Sequence, residues 1–102
     1  MKNLLEETLA ILEKNGKTEK DVVWVGTQTQ KTTWDKFQRV ANKIYDDGFG
    51  AQAVAEEIMV VGKNWWLERH EYDGSEWWEY KELPKEPTET ISGDEIEKIV
   101  WK

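Results

Sequence analysis

Leu5, Leu9 and Leu12 recur on one helical face beside Leu4 and Ile11, and Asn3 with Glu6 has the spacing of a capping box just ahead of them. The pattern predicts an amphipathic helix over residues 4–15, ended by Gly16 as a left-handed C-cap. A charged turn follows, then Val22-Val23-Trp24-Val25, a short β-branched run bounded by Asp21 and Gly26. It is too short for a helix and reads as a strand over 22–26, buried on both faces. Thr32 and Asp35 repeat the capping spacing, and Trp34, Phe37, Val40, Ala41 and Ile44 follow at helical intervals, predicting a second helix over 33–43. Asp47-Gly48-Phe49-Gly50 breaks that pattern as a loop with its Phe tip expected on the core. Residues 51–57 fit either a helical turn or the approach to a strand.

From Ile58 onward the period changes to two. Ile58-Met59-Val60-Val61, Trp65 to Glu71 and Glu76 to Lys81 read as three strands, joined by turns at Gly62-Lys63 and at Asp73-Gly74, the strongest short hairpin signal in the chain. Two-residue turns at these places pair Val60 with Trp65, Ile58 with Leu67, Leu67 with Tyr80 and Arg69 with Trp78. Both turns agree on one apolar face of Ile58, Val60, Trp65, Leu67, Trp78 and Tyr80, large enough to receive the two helices. The opposite face collects Glu57, Met59, Val61, Trp66, Glu68, His70, Tyr72, Trp77, Glu79 and Lys81. Glu57, Glu68 and Glu79 then stand side by side across three strands. Such a row of like charges calls for Lys81, an Arg, a cation or a partner to offset it.

Pro84 and Pro87 end the sheet, and Ser92 with Glu95 marks a third capping box before Ile96, Ile99, Val100 and Trp101. The predicted fold class is therefore α+β. A three- to four-stranded antiparallel sheet, made of the meander 58–82 and the strand 22–26, is packed by helices over 4–15 and 33–43, with a short C-terminal helix over 93–101. Residues 1–83 form one domain, and residues 84–102 a Pro-containing connector and the closing helix.

Length and charge narrow the function. The 102 residues suffice for one core. Residues 1–63 carry 10 acidic and 9 basic side chains, whereas residues 64–102 carry 11 acidic and 5 basic, so nearly all of the net charge of −7 belongs to the C-terminal part. That sign disfavours direct nucleic-acid binding, which Lys and Arg drive, and attracts basic protein surfaces instead. With no Cys and no apolar run of membrane-spanning length, the chain is expected to be soluble and cytoplasmic.

Catalytic chemistry finds little to work with. Ser75 and Ser92 occupy a turn and a cap, no nucleophile-elbow or phosphate-loop pattern occurs, and Asp46-Asp47 before Gly48 reads as a turn. His70 is the only His; with Glu68 and Glu79 it forms a weak candidate for a divalent-metal site, and no cofactor is implied. The aromatic surplus is more informative. Seven Trp include the pairs Trp65-Trp66 and Trp77-Trp78, and alternation sends one of each pair away from the core. Exposed Trp66 and Trp77 with Glu68, His70, Tyr72, Glu79 and nearby Arg69 have the composition of a partner-binding patch, since Trp, Tyr and Arg dominate hot spots. Alternatively the C-terminal segment folds back through Ile96, Val100 and Trp101 and covers that face. A Trp platform for carbohydrate and a structural protein are further readings.

The run Tyr45-Asp46-Asp47-Gly48-Phe49-Gly50 and the stretch Trp65-Trp66-Leu67-Glu68-Arg69-His70-Glu71-Tyr72-Asp73-Gly74-Ser75-Glu76-Trp77-Trp78-Glu79-Tyr80 resemble a group of small acidic proteins carried by phages and mobile elements of Gram-positive bacteria. The likeness covers roughly residues 4 to 83. The group has no assigned activity, so it implies no catalytic residues. Its company, small acidic phage proteins that often inhibit host defence, anti-CRISPR proteins among them, implies an inhibitor that occupies the basic nucleic-acid-binding surface of a host protein.

Overall fold

Asn3 opens the first helix as its spacing predicts: its side chain accepts the Glu6 amide at 3.0 Å, and the helix α1 runs Leu4–Lys14 to a left-handed Gly16. The computed structural model describes residues 1–48 and 51–102, so the expected place of Phe49 lies outside the described residues. Ahead of α1, Lys2–Asn3 (β1) pairs antiparallel with Ile44–Tyr45 (β4) as a small ribbon. The main antiparallel sheet has five strands in the order β3-β2-β5-β6-β7, comprising Trp24–Gly26 (β2), Lys31–Thr32 (β3), Met59–Val61 (β5), Trp65–Tyr72 (β6) and Ser75–Glu82 (β7). Between β3 and β4 lies α2, Trp34–Ala41. The chain is α+β, with β3 and the β1–β4 ribbon added to the expected strands.

The core forms where the two-residue period places it. Val60, Trp65, Leu67 and Trp78 on the inner sheet face are buried against Leu12 of α1 and Phe37 and Ala41 of α2, with Val25 from β2 and half-buried Ile58 and Tyr80 at the edge of the cluster. The second hairpin keeps its predicted register: Asp73 and Gly74 both take positive φ, and Leu67 pairs with Tyr80 and Arg69 with Trp78.

The first hairpin is displaced. Val60 pairs with Leu67, and Val61 with Trp66, two residues from the expected register, because the connection is made by Lys63 and Asn64 and not by Gly62 and Lys63. Gly62 is needed for a different reason: the Trp65 indole lies against it so closely that a Cβ there would overlap the ring, while its N–H donates to the Trp65 carbonyl at 2.8 Å. A shift of two preserves which face each side chain takes, so the core survives the change. It does break the carboxylate row. Met59, not Glu57, stands opposite Glu68, and only Glu68 and Glu79 face each other.

Other expectations fail at element edges. The buried stripe of α1 is centred on fully buried Thr8 and Leu12, leaving Leu9 partly in solvent. In α2 the capping residue is Thr33, which accepts the Lys36 amide, and the helix stops at Ala41; Phe37 and Ala41 are its buried residues, whereas Val40 within it and Ile44 beyond it are exposed. The run at 22–26 is not buried on both faces, since Val23 is exposed. Residues 51–57 form neither helix nor strand. At the C-terminus, Ser92 makes no capping bond, and a single 3₁₀ turn (Gly93–Glu95) leads into Ile96–Val100 (α3). Every residue from Lys81 to Lys102 is exposed, so Ile96, Val100 and Trp101 do not fold back over the sheet. Among the described residues no helix is long and apolar enough to cross a membrane.

Candidate functional site

The alternation of β6 and β7 that buries Leu67 and Trp78 turns Trp66, Glu68, His70, Tyr72, Trp77 and Glu79 outward onto one face. Tyr72 stands free at the hairpin end, 75% exposed, and the other five are half-buried, so Trp66 and Trp77 are less open than the alternation alone suggests. Their polar groups are tied to one another. Trp66 donates its indole N–H to Glu68 Oε1 at 2.7 Å; His70 Nε2 lies 2.6 Å from Glu68 Oε2 and its Nδ1 lies 3.2 Å from Glu79 Oε2. The imidazole therefore sits between two carboxylates that the strand register sets opposite each other. It can donate to both only as the imidazolium. Its ring stacks on Trp77 with centroids 6.4 Å apart, and Lys81 reaches Glu79 at 3.6 Å. The indole N–H first, and then His70, hold the Glu68 carboxyl below the usual carboxylate range.

This arrangement is poor for a metal. Each imidazole nitrogen already faces a carboxylate oxygen, so Glu68, His70 and Glu79 do not converge on a common empty point. Among the described residues no three His, Cys, Asp or Glu side chains are grouped to hold a metal ion. The negative charge left over lies to one side, where Glu56 and Glu57 flank a hollow of about 380 Å³ lined also by Gln28, Thr29, Met59, Glu68 and Arg69, whose guanidinium is engaged by Glu7 and Glu76. Glu56 and Glu57 have no ion-pair partner among the described residues.

Arg69, expected beside the exposed patch, is instead on the inner face with its side chain sealed from solvent. Its guanidinium donates to Glu7 at 3.1 Å, to Glu76 at 2.9 Å and to the Tyr45 hydroxyl at 3.1 Å, and lies 4.8 Å from the centroid of the Trp78 ring. Tyr45 in turn donates to Glu7. The Glu76 carboxylate also accepts the amides of Ala53 and Val54 at 2.7 and 3.0 Å, which ties the irregular segment before β5 to the sheet. Burial and the bond to Glu7 push the Tyr45 phenol far above its ordinary range, and the Arg69 guanidinium is held above its own despite burial because Tyr45, Glu76 and Glu7 favour its charge. Glu7, Tyr45 and Glu76 were not foreseen, although extending the alternation of Leu67 and Trp78 by one step puts Arg69 and Glu76 inward together.

The two polar clusters thus differ in kind. The inner one is enclosed and joins four parts of the chain, whereas the outer one presents aromatic rings and carboxylates to solvent. Comparison of the chain with protein-family models, with curated proteins and with solved structures finds no match in any of the three.

Proposed function

We propose that the protein is a non-catalytic binding module whose outer sheet face receives a basic protein surface, of the kind that otherwise holds nucleic-acid phosphates. The observation that carries this reading is the placement, on one face of the sheet, of the half-buried Trp66 and Trp77 rings and, beside Met59 and Glu68 of that face, of the Glu56 and Glu57 carboxylates, which have no ion-pair partner among the described residues. Indole rings provide apolar area at low conformational cost and stack on guanidinium groups, and uncompensated carboxylates beside them favour Arg or Lys. In the setting that the sequence resemblance implies, the partner is a host protein and the outcome is inhibition by competition with nucleic acid.

Titration with an oligo-arginine peptide, read by intrinsic fluorescence, tests the site. Affinity should fall steeply as ionic strength rises. Trp66→Ala with Trp77→Ala and Glu68→Lys should weaken binding at least tenfold while circular dichroism stays native, and Glu89→Gln with Glu97→Gln, which removes charge from the exposed tail, should not. Equal binding by the triple variant overturns the reading.

A further inference from the structure

The outer face is bordered by β7, which is the last strand of the five-stranded sheet and has no strand on its far side among the described residues. The hairpin register fixes which backbone groups look that way. Asp73-Gly74 closes on the pair Tyr72 and Ser75, so Ser75, Trp77, Glu79 and Lys81 bond back to β6, and Glu76, Trp78, Tyr80 and Glu82 turn their N–H and C=O groups to the edge. Glu76 confirms this parity: its N–H donates to the Asp47 carbonyl at 3.2 Å. Beyond that bond, the edge groups of Trp78, Tyr80 and Glu82 meet no loop, cap or turn partner among the described residues. At the Trp78 end of this edge lies a groove of about 600 Å³ between β7 and α1, lined by Ala10, Ile11, Ile44 and Trp78 together with the charged Lys2, Glu6, Glu7 and Lys14.

We propose that the basic partner is engaged by strand addition: an extended segment with alternating basic and apolar side chains pairs with the edge of β7. The inference rests on the binding role of the outer face and adds how the partner is held. Main-chain bonds to Trp78 and Tyr80 supply affinity, and the alternation of the added strand supplies selectivity. Its outward side chains fall beside Trp77 and Glu79, where a guanidinium meets both an indole face and a carboxylate. Its inward side chains fall over the groove beside Ala10, Ile11 and Trp78, where apolar groups fit. Charge favours this occupant, since residues 65–82, which form β6, β7 and their turn, carry six acidic and two basic side chains, four of the seven net negative charges of the chain. An edge left open from Trp78 to Glu82 is otherwise an aggregation hazard, which its charged residues Glu79, Lys81 and Glu82 limit without closing it to a basic strand.

The test uses the full chain and a capped seven-residue peptide alternating Arg and Val. Two N-methylated forms of the peptide are compared, one blocked on the amides of the Arg positions and one on those of the Val positions. An added antiparallel strand presents only one of these sets to β7. The form blocked at the Val amides, which stand opposite Trp78 and Tyr80, should therefore bind at least tenfold more weakly than the form blocked at the Arg amides, and binding of the parent should slow hydrogen exchange at the Trp78 and Tyr80 amides; the reverse order overturns strand addition. Equal weakening, or none, with Glu79→Gln still lowering affinity, overturns strand addition and leaves the outer-face reading in place. Absence of binding by the parent peptide, with oligo-arginine still bound, likewise overturns it. Loss of both peptides removes the underlying reading as well.

Discussion

Arg69 and Glu76 meet at 2.9 Å with both side chains out of reach of water, and this pair joins β6 to β7 from the face that the tryptophans otherwise fill. A buried ion pair holds only where the remaining donors and acceptors are also satisfied. Here nearly all of them are: Glu76 takes two amides from the segment before β5 and Arg69 takes Glu7 and Tyr45, with the Arg69 Nε–H alone of this pair's groups lacking a partner among the described residues, so one cluster ties α1, β4, that segment and the sheet together.

Glu76→Gln should therefore be severe although it is nearly isosteric. The amide group has one acceptor oxygen where the carboxylate has two, and its NH₂ would face a backbone N–H or the guanidinium. Breaking a buried pair while its partner charge remains costs about 3–5 kcal/mol. Urea unfolding should show that loss, and hydrogen exchange should accelerate at the Ala53 and Val54 amides before other sheet amides respond. Unchanged exchange at those two positions would mean that the carboxylate does not hold the segment.

Much of this was legible in the sequence. The helix over 4–15, the strand pattern of 58–82 and the Asp73-Gly74 turn were all readable, because each depends on local spacing or on a residue that tolerates positive φ. The inner face was correct even with the first hairpin two residues out of register, since a shift of two does not change sides. What could not be read were interactions fixed by tertiary packing. Arg69 looks like a surface residue until Glu7, Tyr45 and Glu76 arrive from elsewhere in the chain, and Thr8 looks like a polar interruption of a leucine stripe until Trp78 reaches it. The outer site was legible as a set, from Trp66 to Glu79, because strand alternation alone puts those residues together. Its internal bonding was not.

Gly62 offers a direct check on the displaced register. Ala at this position places a methyl group into the Trp65 indole, which is itself buried against the core and stacked on Tyr80 at 5.9 Å. Forcing extra volume into such packing costs about 1–3 kcal/mol. The Gly62→Ala protein should lose that much stability in chemical denaturation, and Lys63→Gly, in the connection proper, should change it far less. The reverse order would place Gly62 in the turn.

Acid should weaken the outer cluster through Glu68. Its folded-state pKa is depressed, chiefly by the Trp66 indole N–H and next by His70, so its contribution to stability is complete above the unfolded value near 4.5 and disappears as pH falls through the lower folded value. Trp66→Phe removes the larger cause. Carbon-detected titration of Glu68 in the native protein should then give a midpoint nearer the ordinary carboxylate range, and the acid limb of the stability curve should flatten between the two values. A midpoint that does not move would mean that the indole is not bonded to this carboxylate in solution.

Alkaline pH acts in the opposite sense on Tyr45. Its folded pKa is raised above the unfolded value near 10, so the stabilisation is complete below that value and is lost as pH rises toward the folded one. Ultraviolet titration of the phenolate should show Tyr45 ionising only together with unfolding, and Tyr45→Phe should remove that late component.

Thr8 gives the last test, of the bond that ties α1 to β7. Its hydroxyl donates to the Leu4 carbonyl at 2.7 Å and accepts the Trp78 indole N–H at 2.8 Å, with both residues buried. Thr8→Val preserves the shape and removes the acceptor, leaving the indole N–H without a partner in the core at a cost of about 1–3 kcal/mol. Thr8→Ser keeps the bond and loses only a methyl group. Valine, the more apolar residue at a fully buried site, should thus be the more destabilising of the two in urea unfolding. In the Trp78→Phe background, where no donor remains, the penalty for valine should vanish. If valine costs the same in both backgrounds, the hydroxyl serves the helix backbone alone, and α1 is held to the sheet by apolar contact without a polar latch.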